Sequence, residues 1–173
     1  MIAPLQRLLA LSVLILAAAC TPSGPDAGTA LYANLAQGNG ALSEPAAVGL
    51  VNNYRTNQGL AAVPADPALM AVARAYARDL ASEAARGGAI RPDGRLRARL
   101  DAAGYPDVPV REAVSAGYST IAEAFSGWRD SEPHRAAMLL PAAAGIGIAA
   151  VTVPGSKYKV YWVLLVAERP RNV

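Results

Sequence analysis

The sequence predicts an α+β layered domain, with helices first and an antiparallel strand pair last. Two β-rich runs, "GIGIAAVTV" and "YKVYWVLLVAE", close the chain. They are joined by "PGSK", a turn of proline, glycine and polar residues. Ahead of them, apolar residues recur at helical spacing in segments that open on cap residues and stop at glycines. Hydrophobic residues make up 53% of the 173, enough for one compact core even though part of that share belongs to the N-terminus.

The first residues read "MIAPLQRLLALSVLILAAAC". Arg7 supplies a short positive region, Leu8 to Leu16 an apolar run, and Ala17 to Ala19 a small-residue step. Residues 1–19 are expected to be a secretory signal peptide, too short and wrongly flanked for a stable spanning helix. Cys20, the one cysteine, follows directly and resembles the cysteine of a bacterial lipobox, with Ala17 where that pattern usually carries leucine. Lipidation of Cys20 would anchor the chain in the bacterial cell envelope, facing the periplasm or the exterior. The alternative is plain cleavage near Ala19, leaving a free thiol. One cysteine excludes an intrachain disulfide. Residues 20–42, rich in Gly, Pro, Ser and Ala, read as the lipidated cysteine and a flexible tether, and residues 43–173 as the domain.

In that domain Ser43 caps a helix with Pro45 in its first turn, Val48, Val51 and Tyr54 at helical spacing, and Gly59 at its end. Asp66 followed by Pro67 starts a long helix. Its stripe runs through Leu69, Val72, Ala73, Tyr76, Ala77, Leu80 and Ala84, and its alanines imply close packing against another layer. A short third helix is expected from about Gly94 to Ala103. "YPDVPV" is extended because its two prolines forbid a helix, and "VREAVSAG" alternates like a strand. Ser119 or Thr120 caps a helix through about Asp130, and Ser131 caps another through Leu140. On the last strand Tyr161 and Trp162 face opposite sides, one packed inward and the other free to be exposed.

The net charge of +3 does not call for nucleic acid as a partner. Arg91, Arg95, Arg97 and Arg99 crowd together in "RPDGRLRARLD", read as a solvated helix face partly balanced by Asp93 and Asp101.

Five stretches in order carry a family resemblance: "LVNNYRTNQGL", "ADPALMAVARAYARDLA", "RPDGRLRARLDAAGY", "REAVSAGYSTIAEAFSGWRDSEPHRAAML" and "AGIGIAAVTVPG…YKVYWVLLVAE". Together they resemble the CAP superfamily, also called the SCP or cysteine-rich secretory protein domain, in its short bacterial form. The most specific part is the constellation of Trp128, Ser131, His134 and Arg135. The resemblance implies a three-layer α-β-α sandwich with a small central antiparallel sheet and an open cleft. In that cleft the family commonly places two histidines and two acidic residues, and some members bind a divalent metal there. Carried over by position, these are His134, Glu112 (with Ala113 in place of the usual asparagine) and Glu123. The other histidine would fall near Ala89, ahead of Pro92, Asp93 and Gly94. The chain has no second histidine.

The residues admit several chemistries. His134, Glu112 and Glu123 could supply three metal ligands, a weaker and less selective set than two histidines with carboxylates. No cofactor is expected beyond that one candidate set. Ser131 could serve His134 as a nucleophile. As an N-cap it would instead accept the backbone N–H of His134. Glu123 fits a capping box with Thr120 as well as it fits the cleft. Glu112 shares a face with Val110 and Val114 and needs a partner; His134 and Arg135 are the candidates, and a contact with His134 is expected. Ile121, Phe125 and Trp128 read as core, with Trp128 walling the cleft.

These expectations favour an envelope-anchored, non-catalytic binding or interaction module with a degenerate cleft of His134, Glu112, Glu123, Trp128 and Ser131. Its partners would be the membrane, through Cys20, and a small ligand, a lipid or a cell-wall component. The alternative is a hydrolase of peptide or cell-wall bonds, with His134 as general base assisted by Glu112 or Glu123.

Overall fold

The computed structural model describes residues 27–38 and 40–169, so the expected signal peptide and Cys20 lie outside the described residues. The helices are α1 (Ala27–Leu31), α2 (Glu44–Asn57), α3 (Pro67–Ala85), α4 (Leu96–Ala102), α5 (Ile121–Asp130) and α6 (Glu132–Met138). The strands are β1 (Val110–Ala116), β2 (Ala143–Thr152) and β3 (Val160–Glu168).

The caps act largely as the sequence predicts. Ser43 accepts the Ala46 N–H at the start of α2, and Asp66 accepts the Ala68 and Leu69 N–H groups at the start of α3. Thr120 opens α5 with a complete capping box. Ser131 departs from expectation. It precedes α6 with extended backbone, yet its side chain makes no cap hydrogen bond, so it does not accept the His134 N–H.

The sheet is antiparallel in the order β1-β3-β2, with Ala113 opposite Leu164 and Gly147 opposite Leu165. Strand β3 lies in the middle, and each of its residues from Val160 to Ala167 is fully buried. One face packs Trp162, Leu164 and Val166 against Val51, Trp128 and Met138 of α2, α5 and α6. The other packs Tyr161, Val163 and Leu165 against Leu69, Tyr76 and Leu100 of α3 and α4. Tyr161 and Trp162 do face opposite sides, but both are buried, because helices cover both faces of the sheet.

Helix α3 comes close to β2, as its alanine stripe requires. A Cβ at Gly147 would run into the Leu69 carbonyl, so only glycine fits there. The Ile148 N–H donates to Met70 Sδ at 3.1 Å. The Asp66 N–H donates to the Ile146 carbonyl at 2.8 Å, which fixes the entry of α3 against the edge of β2.

Two features were not legible as structure in the sequence. The folded part begins before Ser43. Helix α1 is followed by a 3-10 turn at Leu35–Gln37, and Leu35 is buried in the core. Thr152 donates its hydroxyl to the Leu35 carbonyl, and the Leu35 N–H donates to the Ser119 carbonyl. Helix α1 and the turn at Leu35–Gln37, which fall in the stretch expected to be a flexible tether, therefore pack with the domain.

The other feature is Arg55, fully buried near the end of α2. Its Nη1 donates to the Met138 and Leu140 carbonyls at 2.8 and 2.9 Å, and its Nε to the Ala61 carbonyl at 3.0 Å. Among the described residues it has no acidic partner. Backbone carbonyls at the C-terminal end of α6, where the helix dipole is negative, stand in for one. Burial lowers the guanidinium pKa below its usual value. Replacing Arg55 with methionine, which keeps much of the volume but not the donors, is expected to cost about 3 kcal/mol. Urea unfolding followed by circular dichroism would measure the loss.

Candidate functional site

The alternation of β1 sends Val110, Glu112 and Val114 to the α3 face of the sheet, as predicted. There Glu112 meets Tyr76 of α3, not His134. No hydrogen bond or ion pair joins Glu112 to His134, which corrects the expected contact. The period-2 rule placed Glu112 correctly. Helix α6, which carries His134, contributes its core residues to the other face.

Around Glu112 and Tyr76 lies a cluster of charges. The Arg99 guanidinium sits over the Tyr76 ring, 3.9 Å from its centroid, in a cation–π contact. Arg99 Nη2 reaches Asp93 at 2.7 Å and Asp79 at 3.0 Å, with only 12% of its side chain exposed. The Arg99 guanidinium beside Asp93 holds that carboxyl well below the usual carboxylate range, and the pair raises the arginine in turn. Burial pushes the Tyr76 hydroxyl up, and neighbouring Glu112 pushes it further. Burial also raises Glu112, partly offset by Tyr76. The two groups influence each other without closing a hydrogen bond of good geometry. Tyr76 Oη and Glu112 Oε2 are both buried and unpartnered. Beside Asp93 a cavity of about 360 Å³ opens, lined in part by Ala89, Arg91 and Arg95. Ala89 is the position at which the resemblance expects a histidine.

The remaining predicted residues are dispersed. Glu123 is spent on the capping box: its Oε2 accepts the Ser119 N–H at 2.7 Å and the Thr120 N–H at 3.4 Å. Trp128 is fully buried and donates Nε1–H to Ser115 Oγ at 3.0 Å, with its ring edge-on to Trp162. It is core, as expected. His134 is partly buried and makes no hydrogen bond or ion pair among the described residues; burial lowers its pKa, so the ring is neutral at pH 7.

The donors therefore do not assemble into the metal set that the resemblance implies. Glu123 accepts backbone amides, Glu112 lies beside Tyr76, and no hydrogen bond or ion pair joins His134 to either. Among the described residues no group of three or more His, Cys, Asp or Glu side chains is arranged to hold a metal ion. The sequence reading missed the cluster of Tyr76, Asp93 and Arg99. Tyr76 read as one more core position on its stripe, and Arg99 as one of several solvated arginines. The signal that could have found it is the spacing of Arg95 and Arg99, which puts both on one helix face one turn apart and next to Asp93.

The sandwich and its cleft strand define a known class. The model of the cysteine-rich secretory protein family, CAP, matches residues 48–166, and the chain belongs to that family. Among solved structures it is similar to a cysteine-rich secretory protein of Staphylococcus aureus, with 18% identity and a TM-score of 0.57, covering 72% of this chain and 38% of that one. It is also similar to an extracellular SCP-domain protein of Bacillus anthracis, with 20% identity and a TM-score of 0.59, covering 71% of this chain and 39% of that one. An outer surface protein of Borrelia burgdorferi matches at 20% identity and a TM-score of 0.58, covering 71% of this chain and 90% of that one. The match therefore spans about two-fifths of the staphylococcal and Bacillus proteins. No curated protein matches the chain.

Two pH effects follow from these surroundings. A carboxyl raised in the folded state contributes stability below its unfolded pKa near 4.5, and that contribution is lost as pH rises through the folded value. Glu112→Gln is thus expected to melt higher than the parent protein at pH 7, with the difference closing below about pH 4. The lowered His134 works in the opposite sense. Its contribution is full above its unfolded pKa near 6.5 and is lost as pH falls through the folded value. His134→Gln should therefore lose less stability than the parent between pH 7.5 and 5, read by thermal melts across that range.

Proposed function

We propose that the chain is an envelope-anchored CAP-domain lipoprotein, held through Cys20, that acts as a non-catalytic binding or interaction module. One observation carries the reading: the side chains that the family brings to a common centre are engaged separately. A general base needs an orienting partner and a reacting atom within reach, and His134 has no hydrogen-bonded partner. Glu123 holds a helix start, and Glu112 is a buried carboxyl next to a tyrosine.

The ligand-facing part is then the polar cavity beside Asp93, close to Arg91 and Arg95, suited to a small polar ligand or a cell-wall component. The similar proteins of Bacillus and Borrelia are described as extracellular and outer surface proteins, which supports a place in the envelope for this chain too.

The full chain, expressed with its N-terminal segment and purified from membranes, tests this. Mass spectrometry of the mature N-terminus should find Cys20 acylated, and Cys20→Ser should release the protein into the soluble fraction. His134→Ala should fold with a stability loss under about 1 kcal/mol. Peptidase and esterase screens should give the same background for both proteins. Stoichiometric zinc in the purified protein, or a turnover that vanishes in His134→Ala, would establish the hydrolase reading instead.

A further inference from the structure

We propose that the face formed by α1 and the adjoining side of α2 rests against the lipid bilayer that carries the anchor. This rests on the reading of Cys20 as the lipidated residue. It begins from the position of α1 in the sequence. Six residues, Thr21 to Asp26, separate Cys20 from the first residue of α1. Whatever their path, they span at most about 25 Å when fully extended. An anchored domain would therefore have α1 as the folded element nearest the headgroups.

The chemistry of that side suits the position. A groove of about 320 Å³ runs between α1 and α2, lined by apolar residues such as Ala30, Leu31, Pro45 and Leu50. Its polar members are Ser43 and Asn53, and none of its lining residues carries a charge. Beside it Tyr32 stands 71% exposed, the most exposed large hydrophobic side chain among the described residues. Tyrosine, apolar in its ring and polar at its hydroxyl, is a side chain that membrane interfaces accept well. An uncharged face loses little hydration when it meets the headgroup region, whereas a face of paired arginines and carboxylates would lose much. The charges of Asp79, Asp93, Arg95 and Arg99 lie with α3 and α4, across the sheet from α2. Docking through α1 and α2 turns the polar cavity beside Asp93 away from the bilayer and leaves it open.

The test is hydrogen exchange on the chain held at a vesicle surface. The mature chain from Cys20 onward is coupled through the Cys20 thiol to a maleimide phospholipid in phosphatidylethanolamine–phosphatidylglycerol vesicles and compared with the same chain free in solution. Exchange is expected to slow about threefold or more in residues 28–36 and 49–53, with residues 87–95 unchanged. Tyr32→Glu and Asn53→Glu together, both at exposed positions, should restore the solution rates without releasing the protein. Equal exchange at both faces in the coupled chain, or slowing confined to residues 87–95, would overturn the proposal. Because the coupling is chemical, the outcome does not depend on cellular acylation. An unacylated natural chain would sink the anchor reading alone, and an unprotected α1 in the coupled chain would sink the docking face alone.

Discussion

Strand β3 is buried on both faces and paired on both edges, and that constraint organises the rest of the molecule. A strand with water on neither side needs a layer of helix above and below. Each residue of its neighbour β1 is thereby committed to one layer or the other. The commitment fixes the chemistry of the site. Glu112 is sent beneath α3, where burial disfavours its charge. Ser115, three residues on, is sent to the opposite layer, where its hydroxyl accepts the Trp128 indole N–H. Two polar groups so close in sequence thus serve two separate cores.

The helical layers are tied down by polar groups that reach between segments. Arg55 joins the end of α2 to the carbonyls that close α6, and Asp66 joins the start of α3 to β2 and, through its Oδ2, to the Tyr105 hydroxyl. These contacts bridge residues far apart in the chain and tie them as a disulfide ties the segments of a disulfide-bonded domain. With one cysteine, the chain relies on hydrogen bonds, ion pairs such as Arg99–Asp79, and packing for that task.

Elements were legible in the sequence where local chemistry decides them. Ser43, Asp66 and Thr120 cap because their short side chains reach nearby amides, and β3 was visible as an unbroken apolar run. What escaped depends on where distant parts meet. Leu35 is one leucine in a glycine-rich stretch, and only its contacts with Ser119 and Thr152 make it core. Tyr161 looked free to be exposed because alternation says which side a residue faces, not whether that side is covered. The family resemblance pointed to Glu112 and His134 as cleft positions. It could not say that they would stand unpaired, since that follows from side-chain placement across two layers. Ser131 has the cap residue's backbone without its hydrogen bond, a distinction of side-chain geometry that residue type does not carry.

Arg99 resolves the electrostatics of the cleft side of the sheet. Asp79, Asp93 and Glu112 bring three carboxyls to one neighbourhood around Tyr76. Like charges so placed raise one another, and burial adds to the cost. A guanidinium placed over the tyrosine ring, with N–H groups on two carboxylates, satisfies both aspartates at once. Asp93 is thereby held as an anion, while Glu112, which Arg99 does not hydrogen-bond, is pushed toward its neutral form. The chain thus supplies from its own side chains the positive charge this neighbourhood needs. The acidic groups nearest the cavity are engaged internally, and Arg91, exposed at its rim, is left as the charge most open to an incoming ligand.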